Sequence, residues 1–320
     1  MVKISKMRII LVSIIALTLQ TGASLAQKMR QPVYPQVVDA RHASDAARSF
    51  FASFFTAKSR HDVDATMQHF SPNLVTYTDA TLGWPLDGYE ILKATFEQYM
   101  PTWPETGLSY PTRIIGGTES AIVAFTDTPE LFGGELRILG AVDMKDGTII
   151  RWVDYWDSRN FDDALYQKMK TLEEKFPTDF KESGIAVRAS KKIRSISSQL
   201  QKAFATGDAK AASGLFSYDA VYEDMALRVQ LLGRAEIEHY LSRVLSKAPF
   251  GIDAKLRHIL GNDLGGGFEW IGSSATKVKF GITALELDAQ GKISRLTSVY
   301  DSRDLTESEL QGLDYLHAEK

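Results

Sequence analysis

Apolar residues recur at helical spacing in two stretches of the chain, and each stretch continues into strand-like alternation. Each stretch is predicted to open with an amphipathic helix, followed by a second short helix that ends at Phe70 or Phe216 and a third helix after a glycine. The inward-facing positions of the opening and third helices are Phe50, Phe51, Phe54, Phe55, Ile91, Leu92 and Phe96 in the first stretch, and Ile193, Ile196, Leu200, Phe204, Ile237, Leu241 and Val244 in the second. About four strands follow in each stretch. Helices followed by an antiparallel sheet are typical of the α+β class.

The strands are predicted from alternation and from turns. Residues 275–280 alternate, with Lys277 and Lys279 on the face opposite the apolar side chains. Turns at 143–147 and 288–291 each lead into a last strand. In that last strand, alternation puts one set of side chains on a common face: Trp152, Asp154 and Trp156 in the first stretch, and Leu296, Ser298 and Tyr300 in the second.

The two stretches have the same internal register. Asp79 and Asp157 lie 78 residues apart, and Asp224 and Asp301 lie 77 apart. The first aspartate of each pair follows a Phe-Ser dipeptide, and the second opens an Asp-Ser-Arg tripeptide. A register kept to one residue over this length indicates a duplicated unit. We therefore predict a first domain over 40–176, a linker over 177–190 and a second domain over 191–316.

Residues 1–26 have the pattern of a secretory signal peptide. A basic start with Lys3, Lys6 and Arg8 precedes an apolar run of 11 residues, and small residues precede a predicted cleavage position after Ala26. A membrane anchor is the alternative, but a span needs about 20 apolar residues. We therefore expect a secreted or periplasmic protein without a membrane span.

Composition narrows the classes of function. A chain that is 44% hydrophobic and 24% charged is typical of soluble globular proteins, and the absence of cysteine means that the fold depends on its core alone. Removal of residues 1–26 takes away three basic residues and moves the net charge from -3 to about -6. Because no basic patch with interleaved aromatic residues is present, a nucleic-acid partner is not expected. His61 and His69 lack a third ligand at metal spacing, and no cofactor motif is found, so neither a metal nor a cofactor is predicted.

Several motifs resemble those of one superfamily. The segments Ala203-Phe-Ala-Thr-Gly207-Asp208, Leu215-Phe216-Ser217 and Val221-Tyr-Glu-Asp224 resemble the ketosteroid isomerase and nuclear transport factor two-like superfamily, and residues 291–301 resemble its SnoaL-like branch. The first stretch repeats these motifs more loosely. The resemblance implies two tandem cone-shaped domains, each a curved, mostly antiparallel sheet wrapped by three helices around an apolar small-molecule pocket. It also implies that the two domains pack together as a built-in dimer.

The resemblance further implies candidate catalytic residues. Asp79 and Asp224 fall at the position of the general-base aspartate of the steroid isomerases, and Asp157 and Asp301 match the acid–base aspartate of the SnoaL-like cyclases. The oxyanion-binding positions of the isomerases do not match, because they carry or fall near Phe54, Leu139, Leu200 and Thr283. Steroid isomerisation by that mechanism is therefore not expected. Each aspartate also has a structural alternative, as the start of a turn or as a helix N-cap.

Asp154 is the strongest candidate in the last strand. A carboxyl group between two tryptophans is expected to have a raised pKa, which suits proton transfer. An exposed strand or an interdomain contact is the alternative. The resemblance places this strand face inside the pocket, so the predicted pocket residues are Trp84, Trp152, Trp156, Leu296, Ser298 and Tyr300.

Three functions remain open at this point. The first domain, with four of the five tryptophans, is favoured for cofactor-independent acid–base catalysis of the isomerase, cyclase, lyase or epoxide hydrolase type. Asp154 and Asp79 would form the acid–base pair, with Asp157 beside them. The alternatives are a non-catalytic site for a small apolar ligand and an interaction module whose interior is filled by its own side chains.

Overall fold

The computed structural model describes residues 38–180, 182, 185–274 and 276–318. The predicted signal peptide with its cleavage position, the residue Gly184 of the predicted linker and the first residue of the strand predicted at Ala275 lie outside these residues. We call residues 38–180 the first half and residues 185–318 the second half. The predicted domain boundaries themselves stay predictions.

The first half alternates helices and strands in an order that the second half largely repeats. Its elements are β1 (Asp39–Ala43), α1 (Asp45–Ser59), α2 (Val63–Met67), β2 (Thr76–Asp79), β3 (Trp84–Leu86), α3 (Tyr89–Tyr99), β4 (Ser109–Gly116), β5 (Ser120–Asp127), α4 (Pro129–Phe132), β6 (Leu136–Lys145), β7 (Thr148–Trp156) and α5 (Asp163–Met169). Those of the second half are α6 (Lys191–Ala205), α7 (Ala209–Ser213), β8 (Phe216–Asp224), β9 (Val229–Leu232), α8 (Arg234–Val244), β10 (Lys255–Gly261), β11 (Gly265–Ile271), β12 (Phe280–Leu287), β13 (Ile293–Tyr300) and α9 (Glu307–Ala318). Short 3₁₀ turns over Ser158–Asn160 and Ser302–Asp304 follow β7 and β13.

The strands form two separate sheets, one in each half. The first has the order β1-β4-β5-β6-β7-β2-β3, and the second has the order β10-β11-β12-β13-β8-β9. Only the β1–β4, β2–β7 and β8–β13 pairs are parallel among the named strands. Irregular register between Pro111 and Arg113 and between Asp143 and Met144 interrupts the first sheet, and such bulges bend a sheet. The predicted mixed α+β fold with mostly antiparallel sheets is confirmed.

Matching local signals start the helices of the two halves. The Ser44 side chain accepts a hydrogen bond from the backbone N–H of Ala47 at the start of α1, and Ser190 does the same for Ile193 at the start of α6. The predicted apolar stripe of α1 is buried, with Phe51, Phe54 and Phe55 at most 1% exposed. Helix and sheet therefore close around a core of their own in each half.

Three details of the predicted pattern are wrong. Residues 276–279 are not a strand, and β12 begins only at Phe280. Ile91 is half exposed rather than inward-facing, because the buried side of α3 is formed by Leu92 and Phe96. The short second helices end at Met67 and Ser213, and Phe216 already belongs to β8.

Alternation along β7 assigns its two faces to two different environments. Trp152 and Trp156 belong to the core of the first half, whereas Val153 and Tyr155 belong to a third apolar cluster that joins both halves. The other members of this cluster are Ala80, Ile115, Ile122, Leu139, Ala141, Phe176, Phe180, Leu260, Phe280, Ile282, Ala284 and Val299. The face of β7 that carries Trp152 and Trp156 is therefore directed into the interior of the first half. Within the part of the chain that the structure describes, no helix is long and apolar enough to cross a membrane.

Candidate functional site

A cavity of about 140 Å³ lies in the interior of the first half, between its sheet and α3 to α5. Its wall is largely aromatic and aliphatic, and one lysine, three aspartates and two tyrosine hydroxyls interrupt that wall. The lining residues are Lys58, Tyr77, Asp79, Leu82, Trp84, Leu86, Thr95, Phe96, Tyr99, Trp103, Asp127, Phe132, Leu136, Ile138, Asp154, Trp156, Phe161 and Met169. Concave apolar spaces with a few convergent polar groups are common small-molecule sites.

Asp79 and Asp154 enter this cavity side by side. They are paired across the parallel strands β2 and β7, where neighbouring strands lie about 5 Å apart. Both line the cavity, and their carboxyl groups repel each other enough to contribute to the raised pKa of Asp154. The structure therefore brings together the two aspartates that the sequence predicts as an acid–base pair.

Asp154 is held by two donors. The indole Nε1 of Trp152 donates to Oδ1 at 2.5 Å, and the Tyr77 hydroxyl donates to Oδ2 at 2.7 Å. Burial raises the pKa of Asp154 to about 7, against the opposing effects of the Lys58 charge and of these two hydrogen bonds. Burial also raises the pKa of Tyr77 well above its ordinary value, so the phenol stays neutral and continues to donate.

Asp79 has a matching arrangement with a different tryptophan. The indole Nε1 of Trp156 donates to Oδ2 at 2.9 Å, and the backbone N–H of Leu82 donates to Oδ1 at 2.8 Å. Burial raises the pKa of Asp79 to about 6, and both hydrogen bonds oppose that rise. The backbone bond also closes the turn after β2, as expected for an aspartate at the end of a strand.

A buried ion pair between Lys58 and Asp127 forms part of the same wall. Neither residue is predicted from the sequence as part of the site. The Lys58 ammonium lies 3.3 Å from Oδ1 of Asp127, which also accepts a hydrogen bond from the Ser109 hydroxyl. The helical spacing that places Phe51 and Phe55 in the core also places Lys58 there, since Lys58 follows Phe51 by two turns and Phe55 by about one turn. The helical spacing alone predicts a buried position for Lys58, whereas its charge favours an exposed one.

The arrangement can move protons near neutral pH. Asp79, with a pKa of about 6, is mostly ionised at pH 7, whereas Asp154, with a pKa of about 7, is about half protonated. Two carboxyl groups whose environments separate their pKa values can act as base and acid. Lys58 adds a positive charge that a developing oxyanion could approach.

The three tryptophans that were predicted to line the pocket lie at different positions relative to the cavity. Trp84 and Trp156 line the cavity, and Trp84 is fixed by a hydrogen bond from its Nε1 to the Met169 carbonyl at 2.7 Å. Trp152 is fully buried behind the cavity wall, where it stacks on Tyr77 at 5.8 Å between ring centroids. It supports Asp154 without itself lining the cavity.

The corresponding residues of the second half are packed among side chains of that half. Leu296 and Tyr300 are packed in the second core, and Ser298 is buried and bonded to Ile282 O and Thr283 Oγ1. Asp224 is fully buried and accepts hydrogen bonds from Leu227 N and the Tyr300 hydroxyl. The predicted pocket positions Leu296, Ser298 and Tyr300 therefore pack against neighbours such as Trp270, whose ring lies 5.7 Å from that of Tyr300.

Asp157 and Asp301 lie outside both interiors. Asp157 Oδ1 accepts from Ser302 N and Oγ at 3.1 and 2.7 Å, and Asp301 Oδ1 accepts from Ser158 N and Oγ at the same distances. Each aspartate therefore binds the 3₁₀ turn of the opposite half. The structure does not bring Asp157 to the cavity that holds Asp79 and Asp154, because its position one residue past β7 turns it toward the second half.

The two predicted non-ligand histidines have ordinary hydrogen-bond partners. His61 Nε2 lies 2.9 Å from the Gly107 carbonyl, and His69 Nε2 lies 3.1 Å from Ser53 Oγ. In the ranges that the structure covers, no group of three His, Asp or Glu side chains is placed to hold a metal ion.

No protein-family model and no curated protein matches this chain. Solved structures with a similar fold include a steroid delta-isomerase from Pseudomonas aeruginosa (16% identity, TM-score 0.33, covering 42% of this chain and 93% of that one). Others are an NTF-2 like protein of unknown function from Burkholderia xenovorans (22%, 0.29, 34% and 83%) and a SnoaL-like protein of unknown function from Burkholderia thailandensis (10%, 0.30, 34% and 94%). The structural neighbours are thus ketosteroid isomerase-like, SnoaL-like and nuclear transport factor two-like proteins.

Proposed function

We propose that the first half is a cofactor-independent acid–base enzyme acting on a small, mostly apolar molecule that carries a carbonyl or epoxide oxygen. The observation that carries this proposal is the pair Asp79 and Asp154, adjacent across two strands inside an apolar cavity, with pKa values of about 6 and 7. Perturbed carboxyl groups in a cleft are frequent at catalytic sites.

The roles follow from the two protonation states. The Asp79 carboxylate takes a proton from the carbon next to a carbonyl, and the electron pair of that C–H bond moves into an enolate. The enolate oxygen is stabilised by the Lys58 ammonium and by the proton of Asp154. The proton is then returned to carbon, so the site is regenerated without a net change. Tyr77 and Trp152 keep Asp154 oriented toward the cavity.

The size of the cavity limits the substrate. An apolar protein cavity of about 150 Å³ accommodates benzene, and this one measures about 140 Å³. We therefore propose a substrate of about one ring, with its oxygen directed to Lys58 and its apolar part against Trp84 and Trp156. A polycyclic steroid exceeds this volume, in agreement with the mismatch at the oxyanion-binding positions of the steroid isomerases.

Solvent hydrogen exchange tests the proposal without knowledge of the natural substrate. Cyclohex-2-enone and cyclohexanone are incubated with the protein in D₂O at neutral pD, and loss of the signals of protons next to the carbonyl is followed by NMR. The wild-type protein is expected to accelerate the exchange. Asp79→Asn and Asp154→Asn are each expected to lower the rate by about 10²-fold or more.

Asp224→Asn is the matched control, because it removes a carboxyl of raised pKa that lies in the second half and does not line the cavity of Asp79 and Asp154. It is expected to leave the exchange rate unchanged. Equal rates for wild type, Asp79→Asn and Asp154→Asn would reject the catalytic proposal, whereas equal losses in all three variants would reject the assignment to the first half.

A non-catalytic ligand site is the second candidate, and one observation supports it. Both oxygens of Asp154 and both oxygens of Asp79 already accept hydrogen bonds from protein groups. Carboxyls fixed in this way can serve as permanent polar contacts for a ligand. Binding of cyclohex-2-enone without accelerated exchange, detected by saturation-transfer NMR, would favour this candidate over the enzyme.

We also propose that the two halves act as a built-in dimer. The shared apolar cluster and the reciprocal bonds of Asp157 and Asp301 support this arrangement. It keeps the half that contains Asp79 and Asp154 in a fixed position relative to the other half.

A further inference from the structure

We propose that the second half completes the cavity of the first half, with Asp301 and Arg303 as positioning residues for the cavity wall formed by residues 158–169. This wall segment comprises the 3₁₀ turn after β7 and helix α5. The inference rests on the proposed function for the identity of the site, whereas the placement of the wall can be measured without any ligand.

Asp301 binds the wall segment through both of its carboxylate oxygens. Its Oδ1 accepts hydrogen bonds from Ser158 N at 3.1 Å and Ser158 Oγ at 2.7 Å, and its Oδ2 accepts from the Tyr166 hydroxyl at 2.6 Å. Asp301 is 6% exposed and Ser158 and Tyr166 are at most 2% exposed, so these bonds form away from water. One carboxylate of the second half therefore joins the turn after β7 to helix α5.

Arg303 adds contacts over the same stretch. Its Nε donates to Ser158 Oγ at 3.0 Å, and its Nη2 donates to the Phe161 carbonyl at 2.7 Å and to the Ser158 carbonyl. Its guanidinium also lies 4.5 Å from the centre of the Tyr166 ring. A planar group with several donors suits this task, since it satisfies two carbonyls and stacks on a ring at once.

The same segment reaches the cavity on its other side. Phe161 and Met169 both line the cavity, and the Phe161 ring lies 5.5 Å from that of Trp156, the residue that donates to Asp79. The Met169 carbonyl accepts the indole hydrogen bond of Trp84, another lining residue. A shift of the wall would therefore be transmitted to Trp84 and Trp156.

The reciprocal contacts connect Asp157 and Arg159 of the first half to residues of the second half. Asp157 binds Ser302, and Arg159 donates to Asp157 and to the Ala226 carbonyl. The interior behind Ala226 is packed with the second core, so these contacts support no cavity of the first half. Arg295 of the second half lies outside the wall segment, with its guanidinium 3.4 Å from Glu223, and provides a control of the same residue type as Arg303.

The test compares Arg303→Gln with Arg295→Gln in the full chain. The first readout is the indole ¹H–¹⁵N NMR signal of Trp84, assigned from its loss in Trp84→Phe. The second is the dissociation constant of cyclohex-2-enone, measured by NMR titration. Arg303→Gln is expected to shift the Trp84 signal and to weaken binding about tenfold or more, since a wall displaced by about 1 Å costs up to about 10²-fold in a positioned site. Arg295→Gln is expected to change neither.

Further outcomes separate this inference from the proposed function. Partial recovery of both readouts in Arg303→Lys, which keeps a cation over Tyr166, supports positioning by Arg303. A Trp84 signal that is unmoved in Arg303→Gln, or moved equally in Arg295→Gln, overturns the inference. If wild-type protein does not bind cyclohex-2-enone while Arg303→Gln alone moves the Trp84 signal, the inference stands and the proposed substrate class fails. If Arg303→Gln does not fold, Asp301→Asn replaces it, because Asn keeps an acceptor for Ser158 and loses the one for Tyr166.

Discussion

Lys58 is the residue whose placement most changes the chemistry of the cavity. Its ammonium lies 3.3 Å from Asp127, and its side chain is only 6% exposed. A lysine is rarely buried to this extent without a partner, and the partner here lies on the same cavity wall. The pair supplies a positive charge beside Asp154 and limits how far burial raises the pKa of that aspartate.

Replacement of Lys58 by methionine tests this role at the scale of one residue. In Lys58→Met the pKa of Asp154 is expected to rise above about 7, because the cation that favours its charged form is gone. The free energy of unfolding is expected to fall by about 3 kcal/mol, since Asp127 stays buried without its partner. Carbon-13 NMR titration of the carboxyl groups, with Asp154 assigned from Asp154→Asn, measures the first effect, and urea unfolding measures the second.

Lys93→Met provides the comparison for that experiment. Lys93 lies on α3 and pairs with Asp64 at 3.5 Å and Glu97 at 3.8 Å, at the protein surface. Its removal is expected to change the unfolding free energy by less than about 0.5 kcal/mol and to leave the Asp154 titration where it was. A titration of Asp154 that is the same in Lys58→Met and in wild type would contradict the proposed role of Lys58.

At the scale of elements, strand β7 shows how far sequence patterns reach. Alternation alone put Trp152, Asp154 and Trp156 on one face, and the structure has them there because a strand repeats every two residues. The same rule failed for residues 276–279, since alternation does not reveal whether a partner strand lies alongside. Pairing between distant segments, such as Asp79 opposite Asp154, was accessible only through the resemblance to a known fold.

Other features depend on packing that no local pattern encodes. Asp224 occupies the position equivalent to Asp79, yet it accepts a hydrogen bond from the Tyr300 hydroxyl where Asp79 accepts one from the Trp156 indole. Asp157 was predicted beside the acid–base pair, but its partner is Ser302 of the other half, 145 residues away. Contacts of this kind are set by how the two sheets meet, and that geometry is a property of the whole chain.

Strand β6 controls the position of Trp152 through Gly140. A Cβ atom at this glycine would lie 3.0 Å from the Trp152 ring, closer than ordinary contact. In Gly140→Ala the ring is expected to move, the bond from its Nε1 to Asp154 is expected to lengthen, and the pKa of Asp154 is expected to rise, because that bond lowers it. Overpacking is expected to cost about 1–3 kcal/mol of unfolding free energy.

The Trp152 indole signal in ¹H–¹⁵N NMR and the Asp154 titration together measure this effect. Gly312→Ala serves as the control, because a Cβ at Gly312 of α9 meets no atom within 4 Å. Alanine there is expected to leave both readouts unchanged and to stabilise the helix slightly. An unmoved Trp152 signal in Gly140→Ala would show that β6 does not set the position of the ring.

At the scale of the molecule, a buried charge cluster connects the two halves. Arg151 of β7 donates to Glu269 of β11 at 2.6 Å and to Glu182 at 2.7 Å, and it pairs with Asp143 at 3.3 Å. Tyr155 donates to Glu269 at 2.6 Å from the same strand. Burial opposes ionisation of Glu269, but the charges of Arg151 and Arg257 outweigh it and hold the pKa of Glu269 well below its ordinary value. This charge cluster joins the two halves, as does the third apolar cluster, which contains Val153 and Tyr155.

Substitution of Arg151 tests whether this cluster makes the two halves one cooperative unit. Arg151→Met leaves three acidic groups with less compensation, and the unfolding free energy is expected to fall by about 3–5 kcal/mol. Arg295→Met is the matched control. Arg295 holds the equivalent position on β13, where its side chain is 25% exposed and lies 3.4 Å from Glu223. Its loss is expected to cost less than about 1 kcal/mol.

Two probes of urea unfolding decide whether the cluster couples the halves or only stabilises one of them. Tryptophan fluorescence reports mainly on the first half, which contains Trp84, Trp103, Trp152 and Trp156, and circular dichroism reports on both halves. In wild type the two transitions are expected to coincide, as for one cooperative unit. In Arg151→Met they are expected to separate, because the link between the sheets is weakened while each half keeps its own core. Coincident transitions in Arg151→Met, with a loss no larger than in Arg295→Met, would show that the apolar cluster alone joins the halves.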